Sequence, residues 1–100
     1  MPDHPLSCAM KLDPILCEHV KKTEELVYGD GALPRKTKLL IAMAFDAAHG
    51  AANGVRALAS QAMQAGATKE EVAEALRVAY HLTGVGSVYC ASQGLKELFL

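Results

Sequence analysis

Signals that start and stop helices recur along this 100-residue chain, and they constrain its fold more than any other feature. Asp13 followed by Pro14 predicts a helix start, with Asp as the N-cap and Pro in the first helical position. Thr68 and Glu71 are spaced as a capping box, which also opens a helix. Gly66 predicts a helix end just before it, because glycine adopts the left-handed backbone conformation found there. These signals predict a series of short, capped helices.

Between these signals, apolar residues recur at the spacing of an amphipathic helix, and no strand-like alternation occurs. The predicted helices cover residues 13 to about 28, 34 to about 48, 51 to 65, 68 to about 82, and about 87 to the C-terminus. We therefore expect an all-α protein with a single domain over residues 13–100. Residues 1–12, which include two prolines, are expected to form an irregular arm.

The composition favours close helix packing and self-association. Hydrophobic residues make up 51% of the chain, aromatic residues only 5%, and there is no Trp. A core of Ala, Leu, Val and Met suits helices that pack closely. A domain of this size cannot bury so much apolar surface within itself, so we expect a homo-oligomer.

Charge and hydropathy exclude several classes of partner. The net charge of −1 gives no general attraction to nucleic acid or to an anionic membrane, and neither is expected as a partner. The longest apolar run, residues 39–48, is interrupted by Asp46 and is too short to span a bilayer. No signal-peptide pattern opens the chain, so the expected location is the cytoplasm.

The cysteines Cys8, Cys17 and Cys90 are odd in number and lie far apart in the sequence. This pattern argues against a disulfide framework and against a Cys-rich metal site. We expect isolated, buried thiols that behave as small hydrophobic groups, and we expect no metal and no cofactor. A reactive pair that forms only in space is the alternative.

Three segments resemble the carboxymuconolactone decarboxylase family, which includes the AhpD-type alkylhydroperoxidases. The segments are LPRKTKLLIAMA, QAGATKEEVAEAL and TGVGSVYCASQGLKELF, so the resemblance covers residues 33–99, with a weaker match in the first helix. It implies an antiparallel bundle of about five helices. It also implies assembly into trimers, hexamers or larger rings.

The resemblance also implies that the residues carrying the family's chemistry are replaced in this chain. The redox branch has a Cys-x-x-Cys-x-x-x-His motif, and counting back from the Gly-Ala-Thr turn places it on Ala51, Gly54 and Leu58. The upstream Glu of the proton relay corresponds to Leu39. The decarboxylase branch places one His at position 58 and a second that corresponds to Gln93, which cannot shuttle a proton at neutral pH. The chain is therefore expected to be a divergent member without the usual relay.

Four residues are candidates for another catalytic site. His49 lies at the junction of the second and third helices, His81 and Tyr80 lie near the end of the fourth, and the Gln93 amide can bind a ligand. The alternative role for each His is to cap a helix C-terminus, where imidazole interacts favourably with the dipole. A metal site formed by His49, His81 and Cys90 would require three separate elements to converge, and no short ligand spacing supports it.

Three cations crowd the first turn of the second helix: Arg35, Lys36 and Lys38. Positive charge there opposes the helix dipole. We expect these side chains to pair with carboxylates, either from Glu24 and Glu25 or from another subunit.

Several functions remain open at this level. The chain is expected to be an oligomer that binds a small organic molecule or acts as a non-standard enzyme, a non-catalytic interaction module, or a peroxidase that uses relocated cysteines, Cys17 or Cys90. A DNA-reading pair of helices is disfavoured because acidic residues dominate the helix that would read the bases. A polar pocket containing His49 would favour catalysis or binding, whereas a dry core lined by Leu58 would favour a structural role.

Overall fold

The computed structural model describes residues 6–100, in which six α-helices account for the regular structure. They are α1 (Ser7–Leu12), α2 (Pro14–Tyr28), α3 (Arg35–Ala48), α4 (Ala52–Gln64), α5 (Lys69–Thr83) and α6 (Gly86–Phe99). The expected all-α fold is confirmed, and five of the helices begin and end within about two residues of their predicted bounds.

The additional helix is α1, which covers part of the stretch expected to be irregular. Ser7–Leu12 form one and a half turns that pack against α2, so the expectation of an irregular arm is wrong for these residues. The helix has no side-chain N-cap, and therefore no local signal announces it. The remainder of the expected arm, residues 1–5, lies outside the described residues.

Local capping explains where the longer helices begin. The Asp13 side chain accepts a hydrogen bond from the Leu16 N–H at 3.1 Å, and Pro14 occupies the first turn of α2. At α5 the Thr68 hydroxyl accepts from the Glu71 N–H while the Glu71 carboxylate accepts from the Thr68 N–H, so the capping box is complete. These hydrogen bonds satisfy amide groups that a helix leaves without partners in its first turn.

Helix α3 forms the centre of the bundle and packs against α4, α5 and α6. Its Leu39 and Met43 are fully buried, and Val55 of α4 is the third large side chain of the core. The rest of the core is mainly alanine, which allows the helices to approach closely. At the contact of α4 with α6, the Cα of Gly94 lies against the Ala52 carbonyl oxygen, where a β-carbon would overlap it.

The three cations at the start of α3 bind mainly to the end of α2. Lys38 Nζ donates to the Gly29 carbonyl at 2.6 Å and Arg35 to the Tyr28 carbonyl at 3.4 Å, while Lys36 lies 3.1 Å from the Glu71 carboxylate. Carboxylate pairing is therefore correct for Lys36, with a partner on α5. Within residues 6–100, the Arg35 and Lys38 side chains pair with neither Glu24 nor Glu25 and instead bind carbonyls that a helix end leaves free.

Large apolar side chains lie exposed on the surface of the bundle. Helix α2 contacts α1 and α3 and has a single buried residue, Cys17. Large apolar side chains lie exposed along it, with 82% of Ile15 and 82% of Leu26 accessible.

No helix within residues 6–100 combines the length and apolar character needed to cross a bilayer.

Candidate functional site

The junction of α3 and α4 contains the positions that the family resemblance assigns to chemistry. The chain turns through His49 and Gly50, and the Ala51 N–H donates to the Asp46 carbonyl at 2.9 Å. Gly50 makes this turn with φ of 79°, in the left-handed region that favours glycine. Ala51 is the N-cap of α4 and has no side chain able to cap it.

Apolar side chains fill two of these positions. Leu39 is fully buried in the core, and Leu58 is half-buried and packs against the same core cluster. These two positions of the site are therefore apolar. Neither side chain can hold or move a proton.

The carboxylate of Asp46 occupies the space where a side chain at position 54 would begin. A β-carbon built on Gly54 would overlap Asp46 Oδ2 and lie 2.8 Å from its Cγ. This places a negative group beside the uncapped N-terminus of α4, where the helix dipole favours it. Sequence reasoning missed this carboxylate because the contact depends on the geometry of the turn between α3 and α4.

Cys90 of α6 lies beside this carboxylate. Its Sγ is 3.9 Å from the Asp46 carbonyl, and its side chain is half-buried. Burial raises the pKa of the Cys90 thiol above its ordinary value, and the Asp46 carboxylate raises it further. A raised pKa keeps this sulfur protonated at neutral pH, whereas a nucleophilic cysteine needs the thiolate.

His49 is exposed and bound to its own helix. Its Nδ1 lies 2.8 Å from the Phe45 carbonyl, and its ring stacks on Phe45 with centroids 6.5 Å apart. This is the capping role that formed the alternative to catalysis at this position. The Phe45 carbonyl also accepts the His49 N–H at 3.0 Å, so the imidazole is a second contact to this oxygen at the end of α3.

The remaining candidates lie on the surface and do not form one site. Tyr80, His81 and Gln93 are all exposed. Across residues 6–100, no group of three His, Cys, Asp or Glu side chains is placed to hold a metal ion, and this includes the trio of His49, His81 and Cys90. The structure therefore does not unite the four candidate residues.

A groove lies between α3 and α5 on the described surface. Its volume is about 410 Å³. It is lined by Thr37, Leu40, Ile41, Ala44, Phe45, Ala48, Ala75, Val78, Ala79, Leu82 and Thr83. Of its two hydroxyl groups, that of Thr83 already donates to the Ala79 carbonyl at 2.7 Å. The groove is therefore an apolar surface with no free charge to orient a ligand.

The sequence predicts only one wall of this groove. Helix α3 is apolar nearly all round, which indicates that it buries more than one face. The pairing of α3 with α5 is a tertiary contact and has no local signal.

Fold and site together define a class: an all-helical bundle in which Leu39, Ala51, Gly54 and Leu58 stand at the positions that the resemblance assigns to the redox relay, with the Asp46 carboxylate beside Gly54. The sequence profile of the carboxymuconolactone decarboxylase family matches residues 18–96. This chain belongs to that family.

A solved structure supports the same assignment. The apo crystal structure of a carboxymuconolactone decarboxylase family protein from Legionella pneumophila superimposes with a TM-score of 0.84. The two sequences are 31% identical, and the match covers 91% of this chain and 81% of the Legionella protein. Among curated proteins, none matches this sequence significantly.

Proposed function

We propose that copies of this member of the carboxymuconolactone decarboxylase family bind one another. We also propose that the protein does not act through thiol redox chemistry. Its copies associate through apolar surfaces on α2, α3 and α5. The proposal joins the missing relay at Ala51, Gly54 and Leu58 with the apolar surface of the bundle.

The observation that carries this proposal is the set of large apolar side chains that the bundle leaves exposed. On α2, 82% of Ile15 and 82% of Leu26 are accessible, and on α3 and α5 the values are 61% for Phe45 and 59% for Val78. Soluble monomers rarely expose extended apolar patches. Contact with a second copy would remove these side chains from water.

Sedimentation velocity over a range of micromolar concentrations tests self-assembly directly. We expect a species larger than the 10.6 kDa chain, with a trimer or hexamer as the sizes that the family resemblance implies. A single monomeric boundary at every concentration would contradict the proposal.

Thiol peroxidase activity is the main competing function, and the site gives it little support. Cys8, Cys17 and Cys90 are unpaired and lie on three different helices. Cys90 is adjacent to the position of the family's redox motif, but its pKa is raised. With an organic hydroperoxide and a dithiol reductant we expect background turnover, unchanged by Cys17→Ser or Cys90→Ser. Robust turnover abolished by either substitution would assign the chemistry to a relocated cysteine.

Binding of a small organic ligand is a second candidate, carried by the groove between α3 and α5. Its volume of about 410 Å³ falls within the range of small-molecule sites. Since the groove offers no charge, the ligand would be apolar. The fluorescent probe anilinonaphthalene sulfonate should brighten on binding the wild-type chain and less so with Val78→Asp. Equal brightening with both would place the probe elsewhere.

A further inference from the structure

The two N-terminal helices lie outside the hydrophobic core. That core draws its buried side chains from α3 to α6 and from the turn before α5, and among the described residues none comes from α1 or α2. Tyr28, at the end of α2, packs against this cluster from outside. Cys17 is buried, with 3% of its surface accessible, yet it does not belong to the cluster. We call α1 and α2 together the strap.

Few side chains hold the strap to the rest of the protein. On α2, Cys17 is buried, Val20 and Tyr28 are half-buried, and the other residues are exposed. Helix α1 has no buried residue and packs mainly against α2. Because packing of an apolar face supplies most of the stability of a helix, α2 gains little stability from its contact with α3.

The hydrogen bonds that join the strap to the bundle lie at one end of it. Lys38 Nζ donates to the Gly29 carbonyl at 2.6 Å, and the Arg35 guanidinium donates to the Tyr28 carbonyl at 3.4 Å. We call these two hydrogen bonds the latch. Within the described chain, residues 7–27 form no hydrogen bond or ion pair with α3 to α6. The attachment of the strap is therefore concentrated at the C-terminal end of α2.

A connection suited to a hinge follows the latch. Residues 30–34 lie between α2 and α3 and belong to no helix. Asp30 is fixed to the start of α3, because its carboxylate accepts from the Arg35 N–H at 2.7 Å. Cys17 lies eleven positions before Tyr28, which is about 16 Å along α2. A rotation in this connection therefore moves Cys17 much farther than it moves the latch.

We infer that the strap is a conformational device: it opens from the bundle about residues 30–34 when the latch releases, while α3 to α6 stay folded. The core persists without the strap because none of its buried side chains comes from α1 or α2. An opening that leaves the core intact has a lower free energy than global unfolding. The Cys17 thiol is covered in the closed protein and reaches solvent in the open one. This inference does not depend on the proposed self-assembly.

Alkylation of Cys17 in the full chain measures the opening. Iodoacetamide reacts with an exposed thiol, and mass spectrometry of the peptide that contains Cys17 gives its rate apart from the other two cysteines. We expect slow alkylation whose rate depends only weakly on urea below the unfolding transition, because opening of the strap exposes much less surface than global unfolding does. A rate that rises with urea as steeply as the global unfolding constant would overturn the inference.

Two lysine variants form a matched pair that tests the latch. Lys38→Met keeps an unbranched side chain and removes the donor to the Gly29 carbonyl, so alkylation of Cys17 should accelerate about tenfold. Lys96→Met removes an exposed cation of α6 and should leave the rate unchanged. If Lys38→Met also left the rate unchanged, Cys17 would become accessible without release of the latch, and the inference would be wrong.

Gly94→Ala separates opening of the strap from unfolding of the bundle. A β-carbon at this position would overlap the Ala52 carbonyl, so the variant weakens the contact of α4 with α6, which stays formed when the strap opens. We expect alkylation of Cys17 at the wild-type rate, although urea denaturation should show a loss of global stability. Acceleration of about five- to 150-fold, in proportion to that loss, would mean that only global unfolding exposes Cys17, and no separate opening of the strap would remain.

Discussion

Two glycines of α6 differ in the space around them, and this difference gives a matched test at the scale of single residues. A β-carbon at Gly94 would overlap the Ala52 carbonyl and lie 3.1 Å from Val55 Cβ, whereas one at Gly86 would meet nothing within 4 Å. We expect Gly94→Ala to lower the free energy of unfolding by about 1–3 kcal/mol, because backbone atoms of α4 must move. Gly86→Ala should be neutral or stabilise by up to about 1 kcal/mol.

Urea denaturation followed by circular dichroism measures both variants against the wild type. Equal stability of the two variants would mean that α4 and α6 separate at little cost, and that the close contact at Gly94 does not hold the bundle together.

The pairing of Cys90 with Asp46 predicts a specific change in thiol reactivity. Burial and then the Asp46 carboxylate raise the pKa of Cys90, so little thiolate is present at neutral pH. Asp46→Asn removes the second cause and leaves the first. We expect alkylation of Cys90 by iodoacetamide to be slow in the wild type, to accelerate as the pH rises, and to become faster in the variant at neutral pH.

Mass spectrometry of the peptide containing Cys90 reports this reaction without interference from the other thiols. Asp46→Ala is unsuitable as the main variant because it also opens space beside Gly54. An unchanged rate in Asp46→Asn would show that the carboxylate does not act on this thiol.

At the scale of helices, the capping box of α5 should respond to pH through Glu71. The hydrogen bond from the Thr68 N–H and the contact with Lys36 lower the pKa of Glu71 below its ordinary value. A carboxyl group with a lowered pKa stabilises the fold above the pKa of the unfolded chain, and this contribution is lost as the pH falls through the folded pKa. Glu71→Gln should therefore be less stable than the wild type at neutral pH, and the difference should shrink as the pH falls below the ordinary range of a carboxyl group.

Thr68→Ala removes the other side chain of the capping box. It should cost about 1 kcal/mol at neutral pH, because the hydroxyl that accepts from the Glu71 N–H is lost. Part of this cost should persist at low pH, since that hydrogen bond comes from a backbone amide that does not titrate. A pH-independent difference between Glu71→Gln and the wild type would exclude the ionic contribution.

The helices of this chain could be predicted from sequence because their signals are local. The side chains of Asp13 and Thr68 accept hydrogen bonds from amides in the first turns of their own helices. The predicted starts of α2 and α5 therefore agree with the structure to within one residue. Helix α1 was missed because it has no capping side chain. The partners of Arg35 and Lys38 were missed because the carbonyls at the end of α2 reach them only through the path of the connecting loop.

At the scale of the whole molecule, the family resemblance predicted the fold. The site could not be predicted in the same way, because it depends on contacts between segments that are distant in the sequence. The resemblance places Leu39 and Leu58 at relay positions, and this placement needs only the sequence. The carboxylate of Asp46 beside Gly54 and the groove between α3 and α5 depend on how helices pair. Neither has a spacing pattern that could have revealed it.

Self-assembly makes a prediction about the stability of the whole molecule. If folded copies associate and unfolded chains do not, the melting temperature must rise with protein concentration by mass action. For a domain of 100 residues that dissociates as it unfolds, the rise should be about 3–5 °C for each tenfold increase in concentration. Val78→Asp, which places a charge in the groove, should melt at a temperature independent of concentration. Differential scanning calorimetry measures both chains. A wild-type melting temperature that stays constant over a hundredfold range of concentration would require either a monomer or an assembly that survives unfolding. Sedimentation at the same concentrations separates those two cases, because only the monomer contradicts association through the apolar faces of α2, α3 and α5.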